Sequence, residues 1–125
     1  MKQILKSSIL TLTALAIALN ISPMDVKAYG DGIAGYIYET SEGHSFSKDW
    51  QATSYGTNSK LIYGYNTVLT NEDYSWAYHS TNEHNAIVAN DRGAFESSVK
   101  AANKPAKIEV MHKGTFVQYQ NVWYK

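Results

Sequence analysis

The chain has 125 residues, with 11 lysine and arginine side chains against 11 acidic ones, 4 histidines and no cysteine. The lack of cysteine excludes a disulfide scaffold, a cysteine-ligated zinc finger and a thiol enzyme, and no arginine-rich stripe of the kind a nucleic-acid binder uses is present. Ten tyrosines and three tryptophans, with many threonines and valines, suit pleated, half-buried surfaces and predict an all-β protein.

Residues 1–28 read as a secretory signal. Lys2 and Lys6 precede an uncharged apolar run from Ile9 to Ile21, and Val26-Lys27-Ala28 closes the segment with small residues at the cleavage positions. The run falls short of the ~20 residues a spanning helix needs, so removal after Ala28 is expected, with no stable membrane span. The remainder, Tyr29 to Lys125, fits a single secreted, extracellular β-domain.

A first strand is drawn from Ile33 to Thr40, with Ala34, Tyr36 and Tyr38 on one face. Ser41 to Thr57 shows little periodicity and reads as a long loop pinned by His44, Phe46 and Trp50. From Lys60 to Leu69 the alternation is clear, and Tyr74, Trp76 and Tyr78 alternate with Ser75, Ala77 and His79 beyond the turn Asn71-Glu72-Asp73, predicting an antiparallel hairpin on which aromatic residues meet. Tyr63, Tyr65 and Trp76 are assigned to the core; Tyr78, Trp123 and Tyr124 are expected to be partly exposed. Ser80 to Glu83 is a turn, Ala86 to Ala89 a short strand, and Asn90-Asp91-Arg92-Gly93 a tight turn. Ala94 to Ala102 fits a strand or a short helix, and the strand is preferred because hairpins surround it. Ala106 to His112 and Phe116 to Trp123 read as two arms joined at Lys113-Gly114. The expected architecture is a small antiparallel β-sandwich of hairpins.

The neutral total hides a split. From Tyr29 to Asp91 eight acidic side chains face Lys48 and Lys60, while from Arg92 onward six basic ones face Glu96 and Glu109. Such a tail steers toward anionic surfaces, unless the two halves lie side by side and neutralise one another.

Candidate chemistry is sparse. His79 and His84 flank a turn, yet His44 and His112 have no spacing that completes a zinc site, so two hydrogen-bonding turn histidines are expected, with no metal and no cofactor. No Gly-x-Ser-x-Gly elbow, carboxylate pair or phosphate loop marks an active site, and no catalytic residue is assigned.

Tyr78-His79-Ser80, then His84, Ala86-Ile87-Val88 and the turn Asn90 to Gly93, followed by Ser98-Val99-Lys100-Ala101 and Tyr119 to Tyr124, resemble the lactococcin 972 family of secreted bacteriocins from about Tyr74 onward. Tyr29 to Thr70 is longer than the family's amino-terminal part, and glycine and tryptophan are thin near its start. The resemblance implies a β-sandwich that binds the cell-wall precursor lipid II and blocks septum formation. The binding residues proposed from charge and aromatic content are Tyr78, His79, His84, Lys104, Lys107, Lys113, Trp123 and Tyr124. A wall-carbohydrate-binding or enzyme-inhibitory module is the alternative, and a small secreted hydrolase a third reading. Target and oligomeric state are left open.

Overall fold

The computed structural model describes residues 32–125; the expected signal segment, 1–28, lies outside the described residues. Eight strands follow in order: β1 (Ile33–Thr40), β2 (Trp50–Gly56), β3 (Ser59–Asn66), β4 (Glu72–His79), β5 (His84–Asn90), β6 (Gly93–Glu96), β7 (Ala106–Met111) and β8 (Gln118–Tyr124). They form two four-stranded antiparallel sheets, β1-β8-β5-β6 (sheet A) and β2-β3-β4-β7 (sheet B). Among the described residues no helix is long and apolar enough to cross a membrane.

The sheets bury a shared layer in which Ile37, Val88, Tyr119 and Trp123 of sheet A, with Val117, meet Leu61 and Tyr63 of sheet B, while Phe46, Trp50, Ile108 and Val110 close its margin. Fully burying one such side chain contributes about 1.5–3 kcal/mol, so a few dominate the domain's stability. Where Ala77, Ala86 and Ala106 face one another, the backbones approach closely enough for the Ser75 hydroxyl to donate to the Ile87 carbonyl at 2.7 Å. A second cluster, Tyr36, Ile87, Val122 and Tyr124, has Val99 of the β6–β7 connection packed against it.

The all-β sandwich agrees with the composition, β1 lies where the alternation puts it, and the β3–β4 hairpin is present with shifted bounds: β3 ends at Asn66, short of the expected Leu69, and Glu72 and Asp73, expected in the turn, open β4. Further expectations need correction. The stretch 41–57 contains β2, whose Trp50, Ala52 and Ser54 alternate with exposed Gln51 and Tyr55. It pairs with β3 through a two-residue turn, Thr57-Asn58, with Asn58 in the left-handed region at φ 53°, a conformation asparagine tolerates better than most residues. The preferred strand at 94–102 is only partly present: β6 ends at Glu96, and the rest is an irregular connection with a single bridge between Lys100 and His84 and no helical turn. Pro105 and the backbone bonds taken up by His84 and His79 leave that connection no helical pairing.

The aromatic residues of the β3–β4 hairpin do not meet across it. Tyr63 lies opposite Ser75, Tyr65 opposite Asp73 and Trp76 opposite Ile62. The inward face of β4 is Asp73, Ser75, Ala77 and His79, and Trp76 stands on the outer face, because large residues of sheet A and β3 already fill the interior and leave room only for small partners. Finally, β7 and β8 are not arms of one hairpin. β7 pairs with β4 and β8 with both β1 and β5, so the chain crosses from one sheet to the other at 112–117. That position buries Trp123 and Tyr124, expected to be partly exposed. A Cβ on Gly35 would stand 2.7 Å from the Trp123 indole, and its absence gives the ring its seat across β1.

The acidic and basic halves interleave, since β7 and β8 of the basic tail add to sheets begun by β4 and β1. No separate basic lobe results. One ion pair forms between described residues, Asp73 with His112 at 2.9 Å.

Candidate functional site

Register sets the outer face of sheet B. Antiparallel partners share a face, so Tyr55, Lys60 and Tyr78 form one cross-strand row, and Thr53, Ile62, Trp76 and Lys107 the next. The Lys107 ammonium sits 4.4 Å from the Trp76 ring centre and that of Lys60 4.8 Å from the Tyr78 ring centre, both within cation–π range. The Trp76 indole N–H donates to Glu109 at 3.3 Å. In the third row Tyr74 is buried and donates to Gln51 at 2.8 Å. A Cβ on Gly64 would lie 2.9 Å from the Tyr74 hydroxyl oxygen and 2.1 Å from the Trp50 carbonyl, so glycine is what lets ring and neighbouring strand approach. Burial pushes the Tyr74 hydroxyl up to about 12, with Asp49 and Glu109 adding to it.

At one end of this face the aromatic row opens into a cleft of about 320 Å³, walled by Tyr55, Asn58, Ser59, Lys60, Tyr78, His79, Ser80 and Asn103. Three connections build it and are sewn together by backbone bonds. The Ser80 amide donates to the Asn58 carbonyl at 2.9 Å, and the Asn103 amide to the His79 carbonyl at 2.8 Å. Asn103, like Asn58, is in the left-handed region, at φ 66°.

The two turn histidines underlie the cleft. His79 Nδ1 accepts from the amides of Thr81 and Asn82 at 3.2 and 3.0 Å, which places the proton of the neutral ring on Nε2. Burial, and then the neighbouring His84, lower its pKa below the usual imidazole range, and its ring centre lies 6.4 Å from that of His84. His84 is fully buried. Its Nδ1 faces the Asn82 carbonyl at 2.9 Å and its Nε2 the Lys104 carbonyl at 2.7 Å. Carbonyl oxygens only accept, so both contacts are hydrogen bonds only when both nitrogens carry a proton. The His84 backbone also exchanges bonds with Lys100, so this residue fastens the 97–105 connection over the end of sheet A.

Comparison with protein-family models, curated proteins and solved structures returned no match. Function is argued from the site's own chemistry.

Of the residues singled out in the sequence, Tyr78 and His79 line the cleft, His84 supports it from within, and Lys107 stands on the adjoining outer face. Lys104 follows Asn103 at the cleft rim, and its side chain is exposed. Lys113 lies at the far end of β7, where its carbonyl accepts from the Asp91 amide of the β5–β6 turn at 3.2 Å. The structure therefore strings the three lysines along β7 instead of gathering them. Trp123 and Tyr124 are interior: the Trp123 ring packs 4.7 Å from that of His79, and the Tyr124 hydroxyl donates to Asn85 at 2.7 Å.

Tyr55, Asn58, Lys60 and Asn103 escaped the sequence reading. The available signal was the alternation of Trp50, Ala52 and Ser54 with Gln51, Thr53 and Tyr55, followed by a turn-forming Thr-Asn.

At the opposite end of the sandwich, buried Asp73 holds His112 Nδ1 and accepts from Asn90 Nδ2 at 2.8 Å. Desolvation raises the Asp73 pKa above the usual carboxylate range, opposed by those two hydrogen bonds. The His112 ring stacks on Phe46 at 4.1 Å and meets the edge of Tyr65 at 5.1 Å. The pairing and the stacked ring pin the β1–β2 segment to the body. Among the described residues no three histidines or carboxylates converge on a metal site.

Proposed function

We propose that the protein is a secreted, bacteriocin-like β-sandwich that acts by binding a bacterial cell-envelope component and carries no catalytic centre. The carrying observation is the outer face of sheet B, where two lysines lie on aromatic rings beside an open cleft. Aromatic side chains with polar edges suit wet contact surfaces, and lysines without carboxylate partners suit anionic ones. The resemblance to the lactococcin 972 family names the cell-wall precursor lipid II as the target. Its pyrophosphate would meet Lys60, Lys107 and Lys104, with Lys113 too far along β7 to share the contact. A wall carbohydrate is the second reading, favoured by the Tyr55–Lys60–Tyr78 row.

The test is sedimentation of the purified protein with vesicles containing lipid II and with purified cell walls, alongside growth inhibition of a panel of bacteria. Binding to either material, reduced in Lys60→Gln and Lys107→Gln, is expected. No binding to either and no inhibition on the panel would overturn the proposal.

A further inference from the structure

We propose that the cleft at the end of sheet B is a subsite for a single anionic sugar ring, a pyranose bearing a carboxylate or a phosphate. The inference rests on the binding role above and gives it a ligand class.

The volume, about 320 Å³, stands at the lower edge of the ~300–1,000 Å³ typical of small-molecule sites and suits one monosaccharide. The walls divide by chemistry. Tyr55 is 64% exposed although it belongs to a paired strand, and with Tyr78 it flanks Lys60 in one row. An exposed tyrosine offers a flat apolar face and a hydroxyl, the combination that a sugar's C–H face and its hydroxyl rim require. Lys60 has no carboxylate partner among the described residues; its ammonium rests on the Tyr78 ring, leaving it available to an incoming anion.

Opposite this row the cleft is polar. Asn58 and Asn103 have their backbone groups committed to the turns, and their side-chain amides have no hydrogen-bond partner among the described residues. A bare inorganic anion would use Lys60 and leave Tyr55 idle. A wholly apolar ligand would strand the amides, and a neutral sugar would leave the lysine unanswered.

The experiment is a nitrogen-15 NMR titration of the purified protein with galacturonic acid, N-acetylmuramic acid, glucose 6-phosphate, glucose, N-acetylglucosamine and inorganic phosphate. The charged sugars are expected to shift the amides of Tyr55, Asn58, Lys60 and Asn103 with millimolar affinity, about fivefold or more tighter than the neutral sugars or phosphate alone. A preference between galacturonic acid and glucose 6-phosphate identifies the carboxylate or the phosphate as the natural group. Tyr55→Ala and Lys60→Gln should each weaken binding about fivefold or more while leaving amides outside the cleft in place. Equal binding of neutral and charged sugars, phosphate binding as tightly as the sugars, or no cleft shifts at about 50 mM ligand would overturn the subsite. If wall or precursor sedimentation persists while the cleft stays silent, the subsite alone fails. If charged sugars bind the cleft but neither wall nor precursor sediments the protein, the subsite stands and the envelope reading fails.

Discussion

Replacing His84 by leucine keeps roughly the same volume but removes both ring nitrogens. The Asn82 and Lys104 carbonyls, now 2.9 and 2.7 Å from those nitrogens, would face carbon. A stranded buried carbonyl costs about 1–3 kcal/mol. Lys104 is exposed and Asn82 half-buried, so water reaches both in part and the low end applies, about 1 kcal/mol for each ring N–H that donates. With a urea slope of about 1.5 kcal/mol/M, the unfolding midpoint of His84→Leu should fall by at least about 0.7 M. Hydrogen exchange supplies a second reading: the Lys100 and Asn103 amides, bonded to the His84 and His79 carbonyls, should lose protection before the β3–β4 ladder does. A midpoint within about 0.3 M of wild type, with Lys100 and Asn103 still protected, would refute the fastening role.

Tyr119 is fully buried, burial raises its pKa, and its hydroxyl has no hydrogen-bond partner among the described residues. Tyr119→Phe should therefore be neutral or stabilise by up to ~1 kcal/mol in urea unfolding; a loss of more than that would reveal a missing partner. Gly64→Ala places a methyl group 2.1 Å from the Trp50 carbonyl and should destabilise by about 2 kcal/mol or more, read as a lowered Tm together with lost Tyr74 ring packing in near-ultraviolet circular dichroism. The depressed His79 pKa means that the unfolded chain takes up this proton first. Its contribution is complete above the ordinary value of 6.5 and is lost as pH falls through the folded value. Stability should thus decline below about pH 6.5, and less so in His79→Asn, whose side-chain oxygen still accepts the turn amides; identical pH profiles would refute the assignment.

Elements held by local pattern were legible in the sequence. Alternation at Leu61, Tyr63 and Tyr65 located β3, and glycine after Asn90-Asp91-Arg92 located a turn that does carry positive φ, at Gly93. What could not be read is who faces whom across the sandwich. Periodicity identifies two faces of β4 but not which is inward, and the greater hydrophobicity of Tyr74, Trp76 and Tyr78 pointed the wrong way. The interior was already occupied by Tyr63, Tyr119 and Trp123, so the small side chains won the inner face. The same nonlocality hid the crossing between β7 and β8, because a short connection predicts neighbours and only pairing with β1, β4 and β5 separates them. The cleft was half visible: Tyr78 and His79 were found through a turn, whereas Tyr55 and Asn103 come from segments distant in the chain.

Because β8 lies between β1 and β5, the last of the eight described strands to be synthesised is an inner one of its sheet. Until those seven residues emerge from the ribosome, β1 has no partner in sheet A and the Trp123 seat above Gly35 is empty. The fold cannot be finished from its beginning. For a chain bound for export, which the proposed role requires, a sandwich that waits for β8 stays threadable until that strand has been made.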